Sequence, residues 1–172
     1  RLKLDPTQAY FSEREAKERQ RIVEQVGEDE TIMAMFAGVG PFPMVIANQK
    51  DVDKIYAVEF NPDAYKYLEQ NIDLNSLEDK ITSIEGDVKD VCPEYFGKCD
   101  RVLMPLPKGS EDFLDLAVKC LKDGGVVHYY SWGEEEELYD KSVEELERAA
   151  HTNNKNIELR GKRKVLSYAP GK

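Results

Sequence analysis

The chain has few cysteines, and their spacing excludes the two structures that cysteines most often build. Cys92, Cys99 and Cys120 are odd in number, and no two of them form a C-x-x-C pair. A disulfide framework needs an even set, and a structural zinc site needs closely spaced ligands. The sequence therefore predicts neither disulfides nor a bound metal, and it fits a protein of the reducing cytoplasm.

Long apolar runs are also absent. No stretch approaches the roughly 20 apolar residues that span a bilayer. The 172 residues are enough for one domain and few for two. Residues 1–172 are therefore interpreted as a single domain, in which the helical segment 1–30 contributes to the binding site. The lack of a signal-peptide pattern and of an initiator methionine indicates a fragment or a processed piece.

An excess of positive charge is lacking, since 34 acidic residues outnumber 24 Lys and Arg and the net charge is −10. Such a field argues against binding nucleic acid through overall charge, because phosphate contacts need local Lys and Arg. Two segments run against the average: Arg14, Lys17, Arg19 and Arg21 near the start, and residues 160–164 near the end. They are either solvated faces that balance nearby carboxylates or a footprint for RNA, and the sequence leaves both interpretations open.

Short apolar runs alternate with longer charged segments of helical period, which is typical of a mainly parallel sheet crossed by helices. Strands are predicted at about 31–36, 55–60, 81–84, 100–104, 125–131 and 156–168. Helices are predicted at about 12–27, 41–49, 62–74, 110–121 and 134–149. Asn61-Pro62 marks a helix start and Gly124-Gly125 a helix end. We expect an α/β fold with helices on both faces of the sheet and an antiparallel C-terminal strand.

A glycine-containing turn is expected where the first strand ends. Phe36-Ala37-Gly38-Val39-Gly40-Pro41 places two glycines between a strand and a helix. There a missing Cβ lets a ligand approach the backbone, and free N–H groups face it. The third glycine of G-x-G-x-x-G is lacking, and no G-K-[ST] follows. Dinucleotide and nucleotide-triphosphate sites are therefore disfavoured.

Two acidic residues favour a cofactor of the adenosine type. Glu59 stands at the end of the second strand, where a carboxylate accepts hydrogen bonds from both ribose hydroxyls. Asp87 ends a further strand and is placed to meet the exocyclic amine of an adenine. The alternative is that both acids only cap the helices that follow them.

Four motifs resemble the archaeal and eukaryotic tRNA (guanine-37 N1)-methyltransferase family. They are Tyr10-Phe11-Ser12-x-Arg14 with Glu18-Arg19, Met35-Phe36-Ala37-Gly38-Val39-Gly40-Pro41-Phe42, Pro105-Leu106-Pro107 and His128-Tyr129-Tyr130. The chain is similar in particular to the archaeal branch that methylates N1 of guanosine 37 and C7 of 4-demethylwyosine in wyosine biosynthesis. The resemblance implies a Rossmann-like class I methyltransferase fold, S-adenosyl-L-methionine as the cofactor, and a monomer that acts on the tRNA anticodon loop.

The resemblance also implies roles for individual residues. Glu18 is the implied base for the N1 proton of guanine, with Pro105 and Pro107 beside the acceptor. The implied cofactor site comprises Tyr10, Phe11, Arg19, Phe36, Ala37, Gly38, Val39, Gly40, Glu59, Phe60, Asp87 and Val88. The implied RNA contacts are Arg14, Lys108 and Arg163. The alternative for Glu18 is a surface carboxylate paired with Lys17 or Arg21.

Two positions depart from the family pattern. Pro105 replaces an asparagine that orients ring nitrogens, which means either a wider, less polar pocket or a tolerated loss with reduced turnover. Ala34 replaces an aspartate that positions the methionine end of the cofactor. The family's N-terminal tRNA-recognition domain and an arginine expected to stabilise charge on O6 are not among these residues. Two alternatives stay open: an aminocarboxypropyl transferase of the same pathway, and a non-catalytic cofactor-binding scaffold.

Overall fold

The computed structural model describes residues 1–5, 12–133 and 138–165. Five parallel strands form one sheet in the order β3-β2-β1-β4-β5. The strands are β1 Thr31–Ala34, β2 Lys54–Glu59, β3 Ile81–Glu85, β4 Cys99–Met104 and β5 Leu121–Tyr129. The strand order reverses beside β1, so the carboxyl ends of β1 and its two neighbours border a natural ligand crevice.

Helices cover both faces of the sheet, as the sequence predicts. They are α1 Ala16–Gln25, α2 Pro41–Gln49, α3 Pro62–Asn75, α4 Val88–Val91, α5 Leu114–Cys120 and α6 Leu138–Thr152. Alternate residues of β1 point to opposite faces, because successive side chains of a strand do so. Ile32 packs with α1, α2 and α3, whereas Met33 packs with α5 and α6. The buried residues of these two layers form the core.

Several helix ends have local causes. The Asn61 side chain accepts a hydrogen bond from the Asp63 N–H, and Pro62 opens α3, which confirms the predicted start. The helix predicted over 12–27 begins as a 3-10 turn at Glu13–Glu15 and ends at Gln25. The one predicted over 110–121 likewise begins as a 3-10 turn, Ser110–Phe113.

Two predictions about the C-terminal half are wrong. Gly124-Gly125 does not end a helix: α5 ends at Cys120, and the glycines lie inside β5, where the pairing with β4 shifts register. The antiparallel strand predicted over 156–168 does not form across residues 156–165, and 166–168 lie outside the described residues. Residues 156–164 are all exposed. Residues 160–164, four basic residues and a glycine, leave that stretch without an apolar face to pack on the sheet.

No helix among the described residues combines the length and the apolar character that crossing a membrane requires.

Candidate functional site

A cleft of about 470 Å³ opens at the carboxyl ends of β1, β2, β3 and β4. This volume is within the range of small-molecule sites. The lining comes from the segments that follow these four strands, from the first turn of α2 and from the chain before α1. Residues distant in sequence meet here because parallel strands end at one edge of the sheet.

The turn after β1 forms one wall of the cleft and contains both predicted glycines. Gly38 has φ +58°, and a Cβ built on it would meet nothing within 4 Å. Gly40 has φ +86°, and its Cβ would stand 2.6 Å from Leu68 Cδ1. Gly38 therefore leaves room on the cleft side, whereas Gly40 lets the turn pack against α3.

Three backbone N–H groups of this turn are bound within the protein, which differs from the expectation that they face a ligand. The Ala37 N–H donates to the Val58 carbonyl at 2.9 Å, and the Gly40 N–H donates to the Ala37 carbonyl at 3.0 Å. The Gly38 N–H donates to Glu59 Oε2 at 2.7 Å. The turn thus shapes the cleft by its backbone path.

Glu59 at the end of β2 holds its carboxylate in the cleft with two backbone hydrogen bonds. Oε2 accepts from Gly38, and Oε1 accepts from the Asn61 N–H at 2.8 Å. Each carboxylate oxygen keeps a further acceptor position, so the group can still receive two hydroxyls. Asn61, not Glu59, caps α3. Glu59 is therefore an oriented acceptor in the cleft and not a helix cap.

The segment after β3 brings a second acid to the cleft. Asp87 caps the short helix α4 by accepting from the Lys89 N–H at 2.9 Å, as the alternative interpretation proposes, and it also lines the cleft. Val88 beside it is buried, whereas Phe60 next to Glu59 is 72% exposed. An exposed ring beside two acceptors offers a flat apolar surface for a ligand base.

The charge of the cleft is of one sign among the described residues. Its ionisable lining residues are Glu15, Glu59 and Asp87, and no Lys, Arg or His is among the lining residues, although Arg19 Nη1 lies 3.9 Å from Glu15 Oε2. An acidic lining attracts a cationic ligand and repels phosphate. This agrees with the sequence-based argument against nucleotide phosphates.

The fourth strand closes the opposite wall. Pro105 and Leu106 line the cleft after β4, and Ala34 contributes from the end of β1. Phe113 packs edge-on against Phe36 with ring centroids 5.2 Å apart. Phe36 has a left-handed backbone, φ +54°, that non-glycine residues rarely adopt. The described residues contain no group of side chains that could hold a metal ion.

Comparison with protein families matches residues 1–159 to the TRM5/TYW2 methyltransferase domain. The chain belongs to this family. The tRNA (guanine(37)-N(1))-methyltransferase Trm5b of Pyrococcus abyssi is 42% identical over 99% of this chain and 49% of that protein. The tRNA(Phe) (4-demethylwyosine(37)-C(7)) aminocarboxypropyltransferase of Methanocaldococcus jannaschii is 37% identical, over 99% of this chain and 67% of that protein. The chain thus spans about half the length of the Trm5b proteins it matches.

Solved structures agree with this membership. The crystal structure of M. jannaschii TYW2 in complex with AdoMet superposes with a TM-score of 0.90 at 37% identity, covering 99% of this chain and 76% of that one. The complex structure of aTrm5 and tRNALeu superposes with a TM-score of 0.80 at 41% identity, covering 94% of this chain and 44% of that one. Both agree with the Rossmann-like methyltransferase fold that the sequence predicts.

The structure of this TRM5/TYW2 domain brings part of the predicted site together. Eight predicted residues line the cleft: Phe36, Ala37, Gly38, Glu59, Phe60, Asp87, Val88 and Pro105. Val39 and Gly40 lie beneath it, with Val39 fully buried and Gly40 capping α2. Tyr10 and Phe11 lie outside the described residues.

Glu18 lies in α1, one turn after Glu15, and is 3% exposed. Arg21 Nε and Nη2 donate to its two carboxylate oxygens at 2.9 and 2.6 Å. Tyr130 Oη donates to Oε1 at 2.7 Å, and Arg163 Nε lies 3.7 Å from Oε2. Arg21 is thus the partner that the alternative interpretation names, but the carboxylate is buried and is not on the surface.

The neighbours of Glu18 set its protonation. Burial raises its pKa, but hydrogen bonds from Arg21 and Tyr130 and the charges of Arg21 and Arg163 outweigh burial, so the pKa is below its ordinary value. Glu18 is therefore ionised at neutral pH, which is the form that accepts a proton.

The other predicted residues, like Glu18, are not among those that line the cleft. Arg19 is buried, and its Nη1 donates to the Ser12 carbonyl at 3.0 Å, which ties α1 to a residue of the cleft lining. Pro107 and Lys108 are exposed in the loop after β4, and Arg14 is exposed on the 3-10 turn before α1.

Sequence reasoning missed several residues that shape the site. Glu15 and Ser12 line the cleft, and the i, i+3 spacing of Glu15 and Glu18 would have placed both on one helix face. Asn71 is fully buried in α3, where its Nδ2 donates to the carbonyls of Val39 and Lys3 at 2.9 and 3.0 Å. No local pattern marks Asn71, because its partners lie 32 and 68 residues away.

Proposed function

We propose that this domain transfers a methyl group from S-adenosyl-L-methionine to N1 of guanosine 37 in tRNA, with C7 of 4-demethylwyosine as a second acceptor. The observation that carries the proposal is the acid-lined cleft at the carboxyl ends of β1 to β4, bordered by Pro105. Support comes from the Trm5b relative. Further support comes from the tRNA (guanine(37)-N(1))/4-demethylwyosine(37)-methyltransferase Taw22 of Nanoarchaeum equitans, 28% identical over 87% of this chain and 66% of that protein.

The residues of the cleft fit S-adenosyl-L-methionine. Glu59 would hold the ribose hydroxyls, Asp87 the adenine amine, and Phe60 and Val88 the faces of the base. The open space at Gly38 leaves room along the turn. Bound there, the cofactor supplies an electrophilic methyl group on a positively charged sulfur, and the carboxylates of Glu15, Glu59 and Asp87 favour such a cation.

Glu18 would accept the N1 proton of the acceptor base. It is buried and ionised, and Arg21 and Tyr130 hold its carboxylate in one orientation. A fixed base removes a proton more effectively than a mobile one, because no reorganisation is needed as the new bond forms. Pro105 and Pro107 would border the acceptor base.

Exposed cations would contact the tRNA backbone. Arg14, Lys108 and Arg163 are all exposed. Because the chain is acidic overall, RNA binding would depend on such local contacts. The proposed cofactor contacts also include Arg19, Tyr10 and Phe11. We further predict that the chain is a single domain and acts as a monomer in the cytoplasm.

A second candidate is transfer of the aminocarboxypropyl group of the same cofactor, favoured by the 37% identity over 99% of this chain to the M. jannaschii tRNA(Phe) (4-demethylwyosine(37)-C(7)) aminocarboxypropyltransferase. Mass spectrometry of nucleosides from tRNA incubated with the chain separates the two. A gain of one CH₂ unit indicates methyl transfer, and a gain of a whole aminocarboxypropyl group indicates the alternative.

The Glu18→Gln variant tests the assignment of the base. We expect methylation to fall by about 100-fold or more, while the affinity for S-adenosyl-L-methionine is retained. Tritium transfer from labelled cofactor to tRNA measures the first quantity, and isothermal titration calorimetry measures the second. Glu24→Gln changes an exposed carboxylate of the same helix and is the matched control. Full activity of Glu18→Gln would contradict the assignment of Glu18 as the base. If the domain is a non-catalytic scaffold, neither the original chain nor the variant methylates tRNA.

A further inference from the structure

Tyr130 follows β5 directly and holds the Glu18 carboxylate from a distance of 112 residues along the chain. Its phenol donates to Glu18 Oε1 at 2.7 Å, the same oxygen that receives Arg21 Nη2. A short bond to an ionised acceptor is stronger than a neutral one and fixes the acceptor in place. The contact therefore restrains Glu18, the residue that accepts the N1 proton of the acceptor base in the proposed function.

Two further contacts join Tyr130 to the cleft. Its ring packs against Phe42, with centroids 6.0 Å apart, and Phe42 lines the cleft. Its carbonyl accepts from Ser110 Oγ at 3.3 Å, at the end of the loop that begins with Pro105. One residue thus contacts α1, the first turn of α2 and the loop after β4.

The surroundings keep Tyr130 a donor. Burial and the neighbouring Glu18 carboxylate raise the pKa of the Tyr130 phenol, so it remains protonated at any physiological pH. The other charged groups around Glu18 are Arg21 of the same helix and Arg163 of the C-terminal segment. His128 of β5 also faces Glu18 and Arg21, and burial keeps it neutral.

We propose that Tyr130 is a positioning residue for the reaction: its hydroxyl orients Glu18, and its ring and carbonyl set that carboxylate relative to the cleft and the Pro105 loop. The inference rests on the proposed function. It gives a role to Tyr130, which is not among the residues expected to contact the cofactor, the acceptor base or the RNA. Tyr130 itself does not take up the proton, because it is already protonated.

The neighbouring residue provides a matched control. Tyr129 donates from its hydroxyl to Glu145 of α6 at 2.7 Å, on the opposite face of the sheet. Tyr129→Phe and Tyr130→Phe therefore each remove one phenol-to-glutamate hydrogen bond from adjacent positions. A purely structural role predicts similar consequences for the two variants.

The test compares kcat, KM and their pH profiles for tRNA methylation by both variants. For Tyr130→Phe we expect kcat to fall about tenfold, with KM for S-adenosyl-L-methionine within about twofold of the original value. The acidic limb of the kcat profile moves to higher pH, because loss of a donor raises the pKa of Glu18 and protonates the base earlier as pH falls. Tyr129→Phe leaves the limb in place.

A second readout does not depend on activity. In protein labelled with ¹³C at glutamate carboxyls, the titration of Glu18, assigned with Glu18→Gln, moves to higher pH in Tyr130→Phe and not in Tyr129→Phe. An unmoved titration overturns the proposal. If the titration moves but the original chain methylates no tRNA, the proposed function fails while the Tyr130–Glu18 coupling stands. If methylation occurs and neither the limb nor the titration moves, the coupling fails alone.

Discussion

At the scale of single residues, Pro105 carries the clearest chemical change in the site. It is half-buried at the end of β4 and lines the cleft. Proline has neither a backbone N–H nor a polar side chain, so the backbone carbonyl is the one group left at position 105 that can form a hydrogen bond with a base. A less polar wall suits a larger tricyclic base as well as guanine.

The Pro105→Asn variant tests that argument. An asparagine amide would offer a donor and an acceptor to the acceptor base, and we expect the ratio of N1 methylation of guanosine 37 to C7 methylation of 4-demethylwyosine to rise. Liquid chromatography of nucleosides from the two tRNA substrates measures the ratio. A ratio equal to that of the original chain would remove the link between Pro105 and substrate choice. Leu106→Ala, a change beside it that adds no polar group, is the control.

At the scale of elements, the two glycines of the turn between β1 and α2 have different roles: one lets the turn pack against its neighbours, and the other leaves room for a ligand. Gly38 and Gly40 both have left-handed backbones, but only Gly40 is enclosed by Leu68 and Met44. Adding a methyl group at position 40 therefore creates overlap as well as backbone strain. At position 38 it creates strain alone, on the side facing the cleft.

The pair of variants Gly40→Ala and Gly38→Ala is expected to behave differently. For Gly40→Ala, we expect the free energy of unfolding to fall by about 2–4 kcal/mol, from strain plus overlap. For Gly38→Ala, we expect a loss of about 1 kcal/mol together with weaker S-adenosyl-L-methionine binding. Urea unfolding and calorimetric titration measure the two quantities. Equal losses of stability would contradict the assignment of Gly40 to packing.

At the scale of the whole molecule, a buried polar network joins elements from both halves of the chain. Arg101 of β4 pairs with Glu30, with Nε 2.7 Å from Oε2, and donates from Nη2 to the Gln25 carbonyl. Its Nη1 lies 2.6 Å from His128 Nε2 of β5. Arg101 can only donate, so His128 accepts and is neutral. Burial, together with the Arg101 charge, lowers the pKa of His128 to about 3.

This network makes stability depend on pH below neutrality. An unfolded histidine binds a proton below about pH 6.5, whereas folded His128 does not until about pH 3. The contribution of neutral His128 to the free energy of unfolding is therefore complete above the pKa of the unfolded histidine. As the pH falls below that pKa, the free energy of unfolding decreases by about 1.4 kcal/mol per pH unit. Carboxylates with lowered pKa, such as Glu18 and Asp115, add a loss at still lower pH, because unfolded carboxyls titrate near 4.

The two histidines of the chain allow a direct comparison. Urea unfolding between pH 6.5 and 5 should show the slope in the original chain and in His151→Gln, whose histidine is exposed. In His128→Gln the slope should disappear, although the variant is less stable throughout. A slope that persists without His128 would show that another group is responsible.

The amino-acid sequence by itself determined the local elements and the ligand end of the site. Apolar runs located all five strands of the sheet, and the Asn61-Pro62 pair located the start of α3. The glycine turn and Glu59 meet in the cleft because both follow parallel strands, a consequence of order along the chain. The same local patterns misled over 156–165, because the basic residues and the glycine of 160–164 leave no apolar face to pack on the sheet.

Only the tertiary structure decided the surroundings of Glu18. Its partners come from its own helix, from the residue after β5 and from the C-terminal segment, so no window of sequence contains them all. Whether a carboxylate is a solvated charge or a buried, oriented base depends on what packs over it, and packing is a property of the assembled layers. For the same reason the sequence did not predict the roles of Asn71 and of the Arg101–His128 contact. Their hydrogen bonds form only once distant strands and helices are in place.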